Sequence, residues 1–203
     1  DEYRGIVNDR ARRVYLVVCA LNRMNVPVRA GLVHRLTGVS FNNFKEHFFG
    51  PLESIVMTEE YKPALDMAYR ARHPWVAQIV FERALPAEVD RFDLYISILR
   101  DIDIGYTPDR TAFRECIRAR NLRDLFSDPL MVEEIFRVAE QASQDDGYLY
   151  QQHAIYEMKR PNGSLERAHE LISRACKFLP RDRSITHTMS ELELARASAS
   201  RTE

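Results

Sequence analysis

The stretch "IVMTEEYKPALDMAYRARHP", residues 55–74, interrupts a chain whose apolar residues otherwise recur with helical spacing. Residues 55–57 are β-prone, and the polar run 58–63 is typical of a turn. Apolar residues then alternate with small or polar ones over residues 65–70, which is the pattern of a half-buried strand. The stretch therefore predicts a short β-hairpin in a mainly helical protein.

Three helices are predicted before this hairpin. The first follows Asn8, a residue type that caps helix N-termini well, and the second ends at Gly38, a typical C-terminal stop. The third is predicted to begin at the cap residue Ser40 and to end at Gly50-Pro51, with phenylalanines at helical spacing. Three helices followed by a hairpin are the outline of a winged helix.

The hairpin leads directly into a histidine-proline pair. Pro74 fits the first position of a helix, where its missing N–H costs nothing, and His73 is then the N-cap. The helix is predicted to bury an apolar face made of Trp75, Val76, Ile79, Val80 and Leu85.

From residue 86 onward the pattern is helical to the end. The last four helices are predicted to begin at the Asp128-Pro129 pair, at Tyr148, at the cap residue Ser164 and at the cap residue Asp182. Ala168, Ile172, Ala175 and Pro180 have the spacing of the second helix in a tetratricopeptide-type repeat. The predicted fold class is therefore mainly α. A winged helix with a short β-hairpin is assigned to residues 1–85, and a tetratricopeptide-like helical array to 86–203.

Composition limits the classes of partner. The chain has 29 basic and 30 acidic residues, and the segment 27–72 has six basic against five acidic residues. Because phosphate contacts supply much of the affinity for DNA, this balance argues against a nucleic-acid partner, although Asn42 and Asn43 could read bases. Three widely spaced cysteines are typical of reduced thiols in the cytoplasm. No apolar run is long enough to span a bilayer, so no membrane partner is expected.

Motifs for catalysis and metal binding are missing from the sequence. It contains no GxxxxGK[ST] loop, no GxGxxG and no HExxH. The six histidines show no metal-ligand spacing, and Cys176 lies in a helix patterned for packing. The acidic pair Glu133-Glu134 has the pattern of a solvated surface. We therefore assign no catalytic residue, no metal ligand and no cofactor to this chain, and we expect it not to be an enzyme by itself.

A winged helix that runs into "RHPWVAQIVFERAL" (residues 72–85) and then into tetratricopeptide-like helices resembles the C-terminal half of a STAND-type signal-transduction P-loop ATPase. Immune receptors of this family carry Met-His-Asp at the strand-to-helix corner, and bacterial regulators carry versions like Arg72-His73-Pro74. The segments "QQHAIYEMKR" and "ITHTMSELELARA" similarly resemble the helical region of bacterial antiviral ATPases.

The resemblance implies a sensor and regulatory role. His73, with Arg72 beside it, would contact the phosphate of an ADP held by a nucleotide-binding domain upstream of Asp1, and ATP would replace ADP on activation. The helices would receive a protein ligand or trigger, and activation would produce a homo-oligomer, in bacterial antiphage defence. Two alternatives stay open, a helical-repeat adaptor for proteins and a winged-helix regulator that binds DNA.

Overall fold

The computed structural model of the protein describes residues 3–61 and 66–200. Over this part of the chain the protein forms eleven α-helices and one small sheet of three antiparallel strands, so the predicted mainly α class is confirmed. Contacts divide the chain into two compact units, Asp1–Cys116 and Ile117–Glu203. The domain boundary predicted between residues 85 and 86 stays a prediction.

The first unit combines the sheet with six α-helices and two other helical turns. Its elements are α1 (Asp9–Asn22), β1 (Val28–Arg29), α2 (Ala30–Thr37), a 3-10 turn (Phe41–Asn43), a π-helical turn (Lys45–Phe49), α3 (Gly50–Leu52), β2 (Val56–Tyr61), β3 (Asp66–Ala71), α4 (Pro74–Ala84), α5 (Glu88–Asp101) and α6 (Thr107–Cys116).

The sheet has the order β1-β3-β2, with Val28 opposite Tyr69 and Val56 opposite Ala71. The predicted hairpin is confirmed. Its first strand is longer than predicted, because β2 continues through residues 58–61. Threonine and tyrosine favour extended backbone, and an edge strand tolerates exposed glutamates. Residues 62–65 of the predicted hairpin lie outside the described residues.

The predicted ends of the first two helices are confirmed. The Asn8 side chain accepts hydrogen bonds from the backbone N–H groups of Arg10 and Ala11, at 2.9 and 3.2 Å, and so caps α1. Gly38 follows α2 with a φ of 69°, a left-handed conformation that glycine adopts without steric cost.

The regular third helix predicted from Ser40 to Gly50-Pro51 is wrong. The structure describes no capping hydrogen bond from Ser40, and the segment is a 3-10 turn followed by the π-helical turn and α3. Gly50 donates its N–H to the carbonyl of Lys45, five residues back, and Pro51 has no N–H to continue a regular ladder. The chain thus accommodates Pro51 by widening the turn before it.

The buried face of α4 also differs from the prediction. Ala77 and Phe81 are fully buried, whereas Trp75 is 72% exposed and Ile79 is 46% exposed. The helix packs against α1, and the guanidinium carbon of Arg23 lies 4.6 Å from the centre of the Phe81 ring. Apolar residues cover most of the circumference of α4, so periodicity alone did not choose the correct face.

Asp109 is the buried centre of an ion-pair network in the first unit, with 2% of the residue exposed. One carboxylate oxygen accepts from Nε of Arg29 at 3.1 Å. The other accepts from Nη2 of Arg35 at 2.7 Å and from the backbone N–H of Asp103 at 3.2 Å. The Arg29 guanidinium also lies 4.0 Å from the ring centre of Tyr106. The network connects β1 and α2 to the beginning of α6.

Helices are the only regular secondary structure among the described residues of the second unit. Its helices are α7 (Ala119–Leu125), α8 (Pro129–Ala142), α9 (Gly147–Lys159), α10 (Leu165–Phe178) and α11 (Arg183–Ala199). The side chains of Asp128, Asp146, Ser164 and Asp182 accept backbone hydrogen bonds at the starts of the last four. The sequence predicted these four helices, and α7 adds to them.

Small and branched residues of α10 form the middle of the second unit's core. Ala168, Ile172 and Ala175 are fully buried, as their spacing predicted. They pack with Tyr150 and Ala154 of α9, and α11 contributes two further buried aliphatic side chains to the same cluster. Consecutive helices therefore pack against each other, α9 on α10 and α10 on α11.

In the described parts of the chain, no helix combines the length and the apolar character that a bilayer span requires.

The three cysteines are free thiols in different environments. Burial raises the pKa of Cys19 and of Cys116 to about 12, whereas Cys176 is only half-buried. Since the thiolate is the reactive form, a thiol reagent at pH 8 should modify Cys176 well before the other two. Time-resolved labelling with a chromogenic disulfide measures this. Rapid loss of two or three thiols in the folded protein would contradict it, and Cys176→Ala is the control that should remove the fast phase.

Candidate functional site

The corner between β3 and α4 is built as the sequence predicted. His73 has an extended backbone, with φ −154° and ψ 142°, and Pro74 occupies the first helical position. The His73 ring nitrogen Nδ1 accepts a hydrogen bond from the backbone N–H of Trp75 at 3.1 Å. Histidine therefore replaces the serine or aspartate that usually caps a helix, and the prediction that His73 is the N-cap is confirmed.

This hydrogen bond determines which tautomer the neutral imidazole adopts. Because Nδ1 uses its lone pair to accept the Trp75 N–H, the ring proton of neutral His73 is on Nε2. His73 and Arg72 are both exposed. The corner therefore exposes an imidazole N–H donor at His73 and a guanidinium at the preceding residue, Arg72, and each of these groups can bind an anionic oxygen.

Arg70 does not belong to this pair. Its Nε donates to Oε1 of Glu59 on the neighbouring strand β2 at 2.5 Å, so its charge is used within the hairpin. Arg72, by contrast, follows the last residue of β3, Ala71. The sequence-predicted site therefore consists of His73 and Arg72 alone.

A second polar cluster, which sequence reasoning missed, lies in the second unit between α8 and α9. Nε2 of His153 lies 3.1 Å from Oε1 of Glu133, and the His153 ring stacks on Phe136 with centroids 4.1 Å apart and planes 7° apart. Glu157, one helical turn after His153, is 1% exposed. The i,i+4 spacing of His153 and Glu157 was the available indication in the sequence.

Both carboxylates of the cluster are paired with arginines. Glu157 accepts from Nε and Nη2 of Arg160, at 3.1 and 2.9 Å, and from the backbone N–H of Ser164 at 3.0 Å. Glu133 is ion-paired with Arg167. Burial favours a raised pKa for Glu133, but its hydrogen bond with His153 and the charges of His153 and Arg167 lower it below the ordinary value. Glu133 was predicted to be solvated surface, but its side chain is half-buried.

The cluster has residue types that bind metal ions. The nearest ligand atoms of Glu133, His153 and Glu157 lie within 4.8 Å of one another, and His and Glu are ordinary zinc ligands. The two carboxylates, however, are already balanced by the two arginines, and a metal ion would have to displace them. The geometry therefore fits an ion-paired junction between helices better than a metal centre.

No family model, no curated protein and no solved structure matches this chain. The geometry of the corner and of the helical unit therefore carries the functional argument.

Proposed function

We propose that this chain is the non-catalytic regulatory and sensor segment of a STAND-type ATPase, in which His73 reads the phosphate of ADP held by another domain of the same polypeptide. The observation that carries the proposal is His73 at the strand-to-helix corner. Its Nδ1 caps α4, its Nε2–H is left as a donor, and Arg72 precedes it in the chain. A single hydrogen bond to a charged oxygen contributes about 1.5–3 kcal/mol, enough to bias a resting state.

The order of elements in the first unit supports a winged helix. A helix, a short strand, a second helix, an irregular helical stretch and a hairpin follow one another, and the short strand β1 pairs with the last strand β3. In this interpretation α4 continues the chain from the second wing strand. The His73 corner is then the place where the winged helix would meet the nucleotide.

The second unit supports a tetratricopeptide-like sensor. Its helices α8 to α11 follow one another with short connections, and small residues of α10 lie where neighbouring helices pack. We assign to these helices the binding of a protein ligand or trigger. Release of ADP, exchange for ATP and assembly of a homo-oligomer would follow in the cytoplasm, in bacterial antiphage defence.

The DNA-binding alternative has less support. A winged helix that binds DNA usually inserts a regular helix into the major groove. The corresponding segment here is a 3-10 turn, a π-helical turn and the three residues Gly50–Leu52. Duplex binding that weakens steeply with salt would favour this alternative. A protein partner retained when no nucleotide-binding domain is present would favour the adaptor.

His73→Ala, made in the polypeptide that includes the nucleotide-binding domain, should weaken ADP retention about tenfold or more, because the phosphate loses one charge-assisted hydrogen bond. Basal signalling should rise as the resting state is lost. Nucleotide content after purification and activity without trigger measure the two effects. His187→Ala is the matched control, since the side chain of His187 is 75% exposed on α11. Equal nucleotide content and equal basal activity in the His73 variant would contradict the proposal.

A further inference from the structure

A large cleft opens in the first unit beside the β2–β3 hairpin. Its volume is about 1130 Å³, slightly above the roughly 300–1,000 Å³ of small-molecule pockets. Its lining is mainly apolar and includes Val14, Ala30, Val33, Leu52, Val56 and Met67. These side chains come from α1, α2, α3 and both strands of the hairpin, so the scaffold of the unit forms the cleft.

Aromatic rings contribute a continuous part of this lining. Phe41 and Phe44 have ring centroids 5.3 Å apart, Phe44 and Phe48 are 5.0 Å apart with an edge-to-face arrangement, and Tyr69 lies 6.5 Å from Phe44. The face of an aromatic ring carries partial negative charge and attracts cations. Aromatic lining therefore favours an apolar ligand, and it favours a cationic one over an anionic one.

The charged residues at the cleft also favour a cationic ligand. The charged residues among its described lining residues are two glutamates, Glu46 and Glu53, and one lysine, Lys45. Both glutamates are exposed, so they lie where a ligand would enter and not in the apolar depth. The net negative charge of the lining disfavours fatty acids and other anionic amphiphiles.

The backbone of the lining provides an independent observation. Lys45, Glu46 and Phe48 belong to the π-helical turn, and Gly50 after it also lines the cleft. Single π-helical turns are rare and occur frequently at functional sites. Here the wider turn sets the positions of a carboxylate and an aromatic ring on the wall of the same cleft.

We propose that this cleft binds a lipophilic monocation, with the aromatic and aliphatic lining around its apolar groups and Glu46 and Glu53 near its charge. The site is separate from the His73 corner and does not depend on the proposed role of that corner.

Tetraphenylphosphonium and tetraphenylborate test this proposal, because the two ions have nearly the same size and shape and opposite charge. Titration calorimetry with the chain should give binding of the phosphonium at least about tenfold tighter than binding of the borate. The double variant E46Q/E53Q should weaken phosphonium binding by a similar factor. Thr58→Trp, at an exposed lining position, should reduce binding by obstructing the cleft.

The matched control is E166Q/E170Q, which removes the same charge from exposed positions of α10 in the other unit and should leave the affinity unchanged. Three results would overturn the proposal: no phosphonium binding, equal affinity for the two ions, or an affinity that E46Q/E53Q does not change. Circular dichroism of each variant separates loss of the site from loss of the fold.

Discussion

Asp109→Ala is expected to lower the free energy of unfolding by about 3–5 kcal/mol, the usual cost of removing one partner from a buried ion pair. The substitution removes the carboxylate that accepts from Nε of Arg29, which is 8% exposed. It also removes an acceptor of Arg35 and of the Asp103 backbone N–H. Urea unfolding followed by circular dichroism measures the change.

Asp93→Ala is the matched control, because Asp93 is exposed on α5 and its loss should change stability by less than about 0.5 kcal/mol. Asp109→Asn keeps an acceptor and the side-chain shape but loses the charge, so its effect should fall between the two. An Asp109→Ala protein as stable as the Asp93→Ala protein would show that the network does not stabilise the first unit.

Glu157→Ala is expected to lower the free energy of unfolding by about 2–4 kcal/mol, because it too removes a buried carboxylate from its hydrogen-bond donors. The buried carboxylate accepts hydrogen bonds from Nε and Nη2 of Arg160 and from the backbone N–H of Ser164, the residue that caps α10. Its removal leaves these donors unpaired at the connection between α9 and α10. Chemical unfolding again measures the loss.

Glu170→Ala, at an exposed position of α10, is the corresponding control and should be nearly neutral. Glu157→Gln should recover part of the loss, since its amide oxygen still accepts hydrogen bonds. If Glu157→Ala and Glu170→Ala unfold at the same urea concentration, the ion-paired cluster contributes nothing to stability.

Local features of the fold were predictable from the sequence. Asn8, His73, Asp128, Ser164 and Asp182 cap helices where the sequence placed them, because capping depends on a few neighbouring residues. The β-hairpin was predictable for the same reason. The irregular third segment was not, since its phenylalanines have helical spacing and only the backbone shows how Pro51 is accommodated.

Features that depend on packing were not predictable. Asp109 lies in a segment that reads as an ordinary helix start. Its partners Arg29 and Arg35 are 80 and 74 residues away in the chain. Trp75 and Ile79 were assigned to the core because a helix that is apolar on several sides gives no preferred face. In the candidate site, the corner residues His73 and Arg72 came from local pattern, whereas the Glu133–His153–Glu157 cluster required knowledge of which helices meet.

The central proposal is tested most directly by comparing the ADP that copurifies with wild type and with His73→Asp, each in the longer polypeptide that this proposal requires, with a nucleotide-binding domain. Aspartate can still cap α4 through the Trp75 N–H, so the fold should be kept, but it lacks the Nε2–H donor and brings a negative charge to the corner. We predict close to one ADP per chain in the wild type and about tenfold less in the variant, at equal stability. Equal ADP in the two proteins, or none in either, would contradict the account.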